Sequence, residues 1–204
     1  MKKITQRLFL IAALLLVLLY FLPLWVISLE APQYPEGIGL YIWVNQITGK
    51  NPHDLKNING LNHYIGMKEI NPESIPELKI MPFIIGFLIV FGLAAALLKK
   101  VTLLYTWLIL LAAICIIGLV DFYLWEYDYG HNLNPMAAIK IPGMSYQPPL
   151  IGSKQLLNMR TTSLPASGGI IIMVSFLTGA SAIFINHKKK VTDDKILKRK
   201  RREH

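Results

Sequence analysis

The sequence is poor in cysteine and in charged residues. Its 204 residues include one cysteine, Cys115, and 16% charged residues. A single cysteine excludes an internal disulfide framework and any CxxC redox or zinc motif. Because Cys115 lies deep in an apolar run, we interpret it as a small packing residue.

The motifs of the common enzyme classes are also missing. The chain has no P-loop, nucleophile elbow, paired catalytic carboxylates or His-Glu-x-x-His motif. It has no CxxCH motif, and its apolar runs contain no internal histidine, which argues against haem. We therefore predict that the protein is not an enzyme.

Apolar residues are abundant and continuous. They make up 53% of the chain, and the mean hydropathy is +0.45, a balance typical of membrane proteins. A membrane-spanning helix needs about 20 apolar residues, and four runs approach or exceed that length: 8–29, 80–98, 101–120 and 166–186. The predicted fold is an all-α integral membrane protein with four transmembrane helices and a folded extracytoplasmic cap made from two long loops.

The first run is longer than the apolar region of a secretory signal peptide, which has about 7 to 15 residues. Glu30-Ala31-Pro32 offers no good cleavage site, because a proline follows the only suitable alanine. We favour a retained anchor over a cleaved signal. The predicted segments are: 1–29, N-terminus and first transmembrane helix; 30–79, outer loop 1; 80–121, a hairpin of the second and third helices; 122–165, outer loop 2; 166–186, fourth helix; 187–204, basic tail.

The polar loops contain local signals for regular structure. The β-prone residues 40–44 predict a short strand. Asn51-Pro52 predicts the start of a short helix that Asn59-Gly60 ends, and Asn71-Pro72 repeats the helix-start signal. From residue 127 to residue 152 the sequence favours neither helix nor strand.

Basic residues predict the orientation. Fourteen of the 21 lysines and arginines lie at the N-terminus, at the Lys99-Lys100 turn or in the tail. Positive residues stay on the cytoplasmic side, so we expect a bacterial inner-membrane protein with both termini inside and both long loops outside. The tail has two interpretations, a nucleic-acid arm or a topology signal that also touches anionic lipid, and we favour the second. The lipid bilayer is then a partner and nucleic acid is not.

Histidine and methionine recur in the outer loops. Imidazole and thioether groups form a soft ligand set that suits copper(I), although their spacing matches no metal motif. His63 and Met67 would share a face if a helix joined them, but the flanking glycines argue against that. The alternative is that these residues bind no metal, because a lone histidine or methionine in a loop usually forms hydrogen bonds or packs against its neighbours. The loops contain His53, His63, Met67, His131, Met136 and Met144, and the candidate copper ligands among them are His63, Met67, His131, Met136 and Met144.

Two carboxylates follow the third apolar run. Asp121 and Asp128 would share a face at the membrane boundary if the helix extended that far. Ionisable groups at such a depth often line a proton or ion path. Alternatively, Asp121 pairs with Arg160 or Lys79, or caps the span, and this interpretation is the favoured one.

Four stretches resemble a known family. They are APQYPEG (31–37), INGLNHYIGM (58–67), YDYGHNLNP (127–135) and IPGMSYQPPLIG (141–152). The chain resembles the small multipass proteins encoded beside nitrous oxide reductase of the Sec-exported, clade II type, together with its copper-delivery and maturation genes.

The resemblance implies an accessory role in the assembly, copper supply or electron supply of that periplasmic enzyme in denitrification. The implied partners are the reductase or its copper-delivery and maturation proteins. In this interpretation His131 and Met144 would bind copper, with Asp128 and Tyr146 supporting them. Two alternatives stay open: a scaffold that binds a partner without metal through Trp43, Tyr64 and Tyr146, or a quinol- or ion-handling protein that uses Asp121 and Asp128.

Overall fold

The computed structural model describes residues 3–200, with side chains up to His187. The helices are α1 (Lys3–Leu15, continued by a 3-10 segment Leu16–Tyr20), α2 (Asp54–Ile65), α3 (Pro76–Leu98), α4 (Val101–His131) and α5 (Ser167–Lys200). The strands are β1 (Trp25–Ala31), β2 (Tyr34–Ile42), β3 (Ile47–Gly49), β4 (Gly152–Leu156) and β5 (Met159–Pro165).

Four helices of the described chain are long and apolar enough to cross a membrane. They are Lys3–Tyr20, Pro76–Leu98, Val101–His131 and Ser167–His187. This finding confirms the prediction of a multi-pass membrane protein. Beyond His187 the side chains of the predicted basic tail, together with residues 201–204 and the first two residues, lie outside the described part.

The all-α prediction is wrong, because the strands form one antiparallel sheet in the order β3-β2-β1-β5-β4. The first apolar run does not form a single span over 8–29. Its helix ends at Tyr20, and Trp25–Ala31 forms strand β1. The sequence does not indicate this break, because no polar segment separates the apolar residues of the helix from those of the strand.

Strand β5 was missed for a different reason. Met159, Thr161 and Ser163 are buried, whereas Arg160 and Leu164 are exposed. Two of the three inward residues are polar and one outward residue is leucine. The usual alternation of apolar inside and polar outside, which identifies a half-buried strand, is therefore absent.

Two helix ends also differ from the prediction. Helix α2 begins at Asp54 and runs past Gly60 to Ile65, where Gly66 caps it with φ 82°. A glycine inside a helix costs about 1 kcal/mol relative to alanine, and burial of Ile65 on the same helix offsets part of that cost. Helix α4 continues to His131, well past the expected end at Val120.

The chain divides into two compact units. The first contains residues 3–18, 83–114 and the described residues from 171 onward. Its core centres on Trp107, which is fully buried, donates a 2.7 Å hydrogen bond from Nε1 to the carbonyl of Leu88 and meets the Phe9 ring edge-on at 4.9 Å. A Cβ on Gly92 would lie 2.6 Å from the Trp107 Nε1, so only glycine fits there.

The second unit contains residues 19–82 and 115–170, and its framework is the sheet. Strand β1 pairs with β2 on one side and with β5 on the other, so the two predicted outer loops share one sheet. Apolar side chains pack beneath it. They include Ile27, Leu40, Ile47, Ile70, Leu78 and Tyr129.

Polar side chains hold α2 against the sheet and against the segment that follows the helix. The Asp54 Oδ2 accepts hydrogen bonds from the Gly39 backbone N–H at 3.0 Å and from the Asn51 backbone N–H at 3.2 Å. Asn59 exchanges two hydrogen bonds with the backbone of Ile70, at 2.9 and 3.1 Å. Each pairing satisfies a backbone group that would be costly to leave unbonded.

Candidate functional site

A cavity of about 80 Å³ lies inside the second unit. The sheet, α2, α4 and the loop that follows α4 all contribute to its wall, which consists mostly of aliphatic, aromatic and thioether side chains. The lining residues are Ile27, Leu29, Leu40, Ile58, Leu61, Asn62, Ile65, Met67, Ile70, Trp125, Glu126, Tyr129, Tyr146, Pro148, Leu156, Met159 and Thr161.

Three of these lining residues carry buried oxygen atoms without a hydrogen-bond partner. Glu126 is fully buried, and neither carboxylate oxygen has a partner. The Tyr146 hydroxyl and the Thr161 Oγ1 are also unpaired, in residues that are each 2% exposed. Buried polar groups are nearly always hydrogen-bonded, so four unpaired oxygen atoms around one cavity mark it as the candidate site.

Helix α4 positions the carboxylate. Because α4 continues beyond Val120, its last turns carry Glu126 together with Trp125 and Tyr129 to the cavity. The rings of Trp125 and Tyr129 lie 4.2 Å apart between centroids, and the Tyr129 hydroxyl donates to the carbonyl of Glu69 at 3.2 Å. These contacts hold the aromatic part of the wall in place beside the carboxylate.

A close backbone approach positions Tyr146. Its backbone N–H donates to the carbonyl of Gly130 at 2.9 Å. A Cβ on Gly130 would lie 2.3 Å from the backbone nitrogen of Gln147, so a larger residue would push the loop away from α4. Glycine at this position therefore lets the tyrosine reach the cavity.

Strand β5 positions the third group. In the pairing of β1 with β5, Leu29 lies opposite Thr161 and Ile27 lies opposite Ser163. The Ser163 hydroxyl is satisfied, since it donates to the carbonyl of Leu150 at 3.1 Å and accepts from Trp25 Nε1 at 2.8 Å. Thr161, two residues earlier on the same face, has no such partner and lines the cavity.

The cavity has no basic counterpart for its carboxylate. None of its described lining residues is lysine, arginine or histidine. An unpaired charge in apolar surroundings is costly, so a buried carboxylate is either protonated or neutralised by a bound cation. The arrangement can therefore accept hydrogen bonds from a positively charged group.

Two of the residues predicted from sequence reach this cavity, Met67 and Tyr146. His63 is exposed on the last turn of α2, and Met67 lies beyond the capping Gly66. The two do not share a helical face. Met136 is 83% exposed.

The other predicted residues lie on or after α4. His131 is exposed and stacks on Tyr127, with ring centroids 4.0 Å apart and its Nδ1 3.0 Å from the Tyr127 carbonyl. Met144 is half-buried in a turn. Asp128 forms an ion pair with Lys68, whereas Asp121 is exposed and has no ion pair among the described side chains.

The five candidate copper ligands differ in their surroundings. Met67 lines the cavity, whereas Met136 points to solvent and both histidines lie on the surface. Within the described residues, no group of three or more histidine, cysteine, aspartate or glutamate side chains is placed to hold a metal. Methionine is not among these residue types, so copper binding by the predicted histidines and methionines stays a prediction.

Sequence reasoning missed Glu126. It stands in a run of aromatic residues, which are typical of a membrane–water interface, and between Asp121 and Asp128, which were the predicted carboxylates. An acidic residue three positions before Tyr129 and one after Trp125 was the available signal, because those positions place it near the same helix face as the tyrosine. No protein-family model matches the chain, and no curated protein matches it.

Proposed function

We propose that the protein is a membrane-anchored accessory protein whose second unit docks a partner on the outer face of the bacterial inner membrane. Following the resemblance in the outer segments, the partner is the periplasmic nitrous oxide reductase or a protein that matures it or delivers its copper. The distribution of lysine and arginine supports the orientation.

One observation carries this proposal: an exposed apolar patch on the second unit. Tyr64, Met136, Ile139 and Ile141 are 57%, 83%, 48% and 43% exposed, and we name these four residues the docking surface. The backbone N–H of Ile139 donates to the Tyr64 carbonyl at 2.9 Å, which ties the two outer segments together there.

Contiguous exposed apolar residues on a folded unit mark interaction sites, and tyrosine and methionine are enriched at protein interfaces. The sheet, the Asp54 bond to Gly39 and the Asn59 bonds to Ile70 hold this surface on an ordered framework. A preformed surface loses less conformational entropy on binding than a flexible one. The same geometry suits the metal-free scaffold and the copper-supply form of the role.

The docking surface is tested with full-length protein purified in detergent and with purified reductase and its copper-delivery proteins. The double variant Met136→Asp, Ile139→Asp should weaken binding by roughly tenfold or more, because it introduces charge into an apolar contact. Ile151→Asp is the matched control, since Ile151 is 59% exposed elsewhere on the unit. Equal affinity of the double variant and the control would refute the docking surface.

Copper is tested separately. His131→Ala with Met144→Ala should lower the copper bound per purified protein if these residues bind the metal as the resemblance implies. Unchanged stoichiometry would reject the ligand assignment and leave the scaffold role.

The quinol alternative has less support. Neither Asp121 nor Asp128 lines the cavity. Asp128, which that alternative invoked, is already paired with Lys68.

A further inference from the structure

The cavity of the second unit is built to receive a ligand that the docking role does not use. Its unpaired oxygen atoms come from three separate elements: Glu126 on α4, Tyr146 in the following loop and Thr161 on β5. All three residues are at least nine-tenths buried. Three distant parts of the chain would not converge unsatisfied on one space unless something bound there satisfied them.

The chemistry of the wall defines the ligand. An ionised carboxylate only accepts hydrogen bonds, and a hydroxyl can accept as well as donate. The ligand must therefore supply several donors. Because no lysine, arginine or histidine is among the described lining residues, a positively charged donor would also neutralise Glu126.

The remaining wall suits the same ligand. The rings of Trp125 and Tyr129 attract a cation to their faces, and the thioethers of Met67 and Met159 are polarizable. Aliphatic side chains complete the lining. These groups favour a ligand with a short alkyl part beside its charge.

The volume limits its size. A cavity of about 80 Å³ is too small for the aromatic ring that a ~150 Å³ cavity holds. Covalently bonded atoms lie closer together than separate water molecules of about 30 Å³ each, so the cavity leaves room for roughly three or four non-hydrogen atoms.

Two other occupants fit less well. Calcium takes six to eight oxygen ligands and magnesium usually keeps several of its waters, whereas most of this wall is carbon and sulfur. Water, at about 30 Å³ per molecule, would fill the space with two or three molecules, and Glu126 would then have to be protonated because water supplies no positive charge.

We propose that this cavity binds a small protonated amine of three or four non-hydrogen atoms, of the ethylammonium class. Its ammonium group donates to Glu126, Tyr146 and Thr161, and its alkyl part lies against the rings and thioethers.

The test is calorimetric titration of the full-length protein in detergent with ethylammonium, ethanol and benzylammonium. Ethylammonium should bind saturably. Ethanol has the same shape without the charge, so it should bind much more weakly. Benzylammonium should not bind, because its ring exceeds the cavity. Absence of ethylammonium binding, equal binding of ethanol, or comparable binding of benzylammonium would each overturn the proposal.

Variants locate the site. Glu126→Gln keeps the side-chain shape and should weaken ethylammonium binding roughly 10- to 100-fold, the usual effect of losing a charge-assisted hydrogen bond. Thr161→Val should weaken it roughly 3- to 10-fold. Glu73→Gln is the matched control, because Glu73 is an exposed carboxylate on the same unit and away from the cavity. Equal affinity of Glu126→Gln and Glu73→Gln would refute the site even if ethylammonium bound.

The site and the docking surface are separable. The Met136→Asp, Ile139→Asp variant should bind ethylammonium as the unmodified protein does, since neither residue lines the cavity. A negative result for partner docking therefore does not contradict the amine site, and a negative result for ethylammonium binding does not contradict the docking surface.

Discussion

Replacing Asp54 tests how the second unit is held together. Asp54 is 4% exposed, and its Oδ2 accepts from the Gly39 backbone N–H at 3.0 Å and from the backbone N–H and the side-chain amide of Asn51, each at 3.2 Å. This single oxygen joins the start of α2 to strand β2. The charge also lies in the first turn of α2, where the helix dipole favours it.

The expected cost of Asp54→Ala follows from those three bonds. The buried N–H of Gly39 would lose its partner, which costs about 1–3 kcal/mol. The Asn51 groups can turn to water because Asn51 is exposed, so their two bonds together contribute about 1 kcal/mol. The sum is roughly 2–4 kcal/mol, or about 4–16 °C in the melting temperature for a chain of this size.

Asp54→Asn separates the acceptor from the charge. An asparagine oxygen can take the position of Oδ2 and keep the three bonds, so we expect a loss of only about 1 kcal/mol. The melting temperature is measured by tryptophan fluorescence in detergent, where Trp25 and Trp43 report on the sheet. Glu73→Ala is the exposed control and should change stability by no more than about 0.5 kcal/mol.

The three variants give a clear ranking. Asp54→Ala should melt well below Asp54→Asn, which should melt just below the control. If Asp54→Ala and Glu73→Ala have the same melting temperature, the carboxylate does not join α2 to the sheet. If Asp54→Asn falls as far as Asp54→Ala, the charge rather than the shared acceptor stabilises the joint.

Four glycine substitutions, one of them a control, test the two units by the same melting assay. Gly92→Ala should destabilise the first unit by about 1–3 kcal/mol, because its Cβ would lie 2.6 Å from a buried tryptophan ring; Gly118→Ala, with nothing within 4 Å of its Cβ, should not, and equal melting of the two would contradict the packing argument. Gly130→Ala should destabilise by a similar amount, since its Cβ meets loop backbone at 2.3 Å, and an unchanged melting temperature would refute that contact. Gly60→Ala should stabilise by about 0.5–1 kcal/mol, because the site lies inside α2 with open space around the added carbon; a loss of stability would contradict the helix there.

The membrane helices were predictable because hydrocarbon imposes a simple requirement on sequence. A segment that crosses it must be continuously apolar and satisfy its own backbone hydrogen bonds. The second and third spans therefore start or end near the predicted residues, at Leu98 and Val101. Lys99, between them, adopts a left-handed conformation with φ 55° in the tight turn that the paired lysines indicated.

The sheet was not predictable by the same rule. Its pairing joins residues far apart in sequence, such as Ile27 with Ser163, and no local pattern encodes such a partner. Strand β2 was detected only over its last residues, because Gly37 and Gly39 interrupt the alternation before them. Gly39 is needed there, since a Cβ would lie 2.7 Å from the Ile27 carbonyl of the neighbouring strand.

The cavity was not predictable either, because two of its residues break the usual pattern of apolar side chains on buried faces. A polar residue on the inner face of a strand, Thr161, and an acid on the buried face of a helix, Glu126, both oppose burial. Natural sequences depart from consistent patterning mainly at functional or strained positions. A structural role alone would be served better by valine and leucine, which would fill the same space without unpaired oxygen atoms. The retention of three such groups around one cavity is therefore best explained by something that binds them.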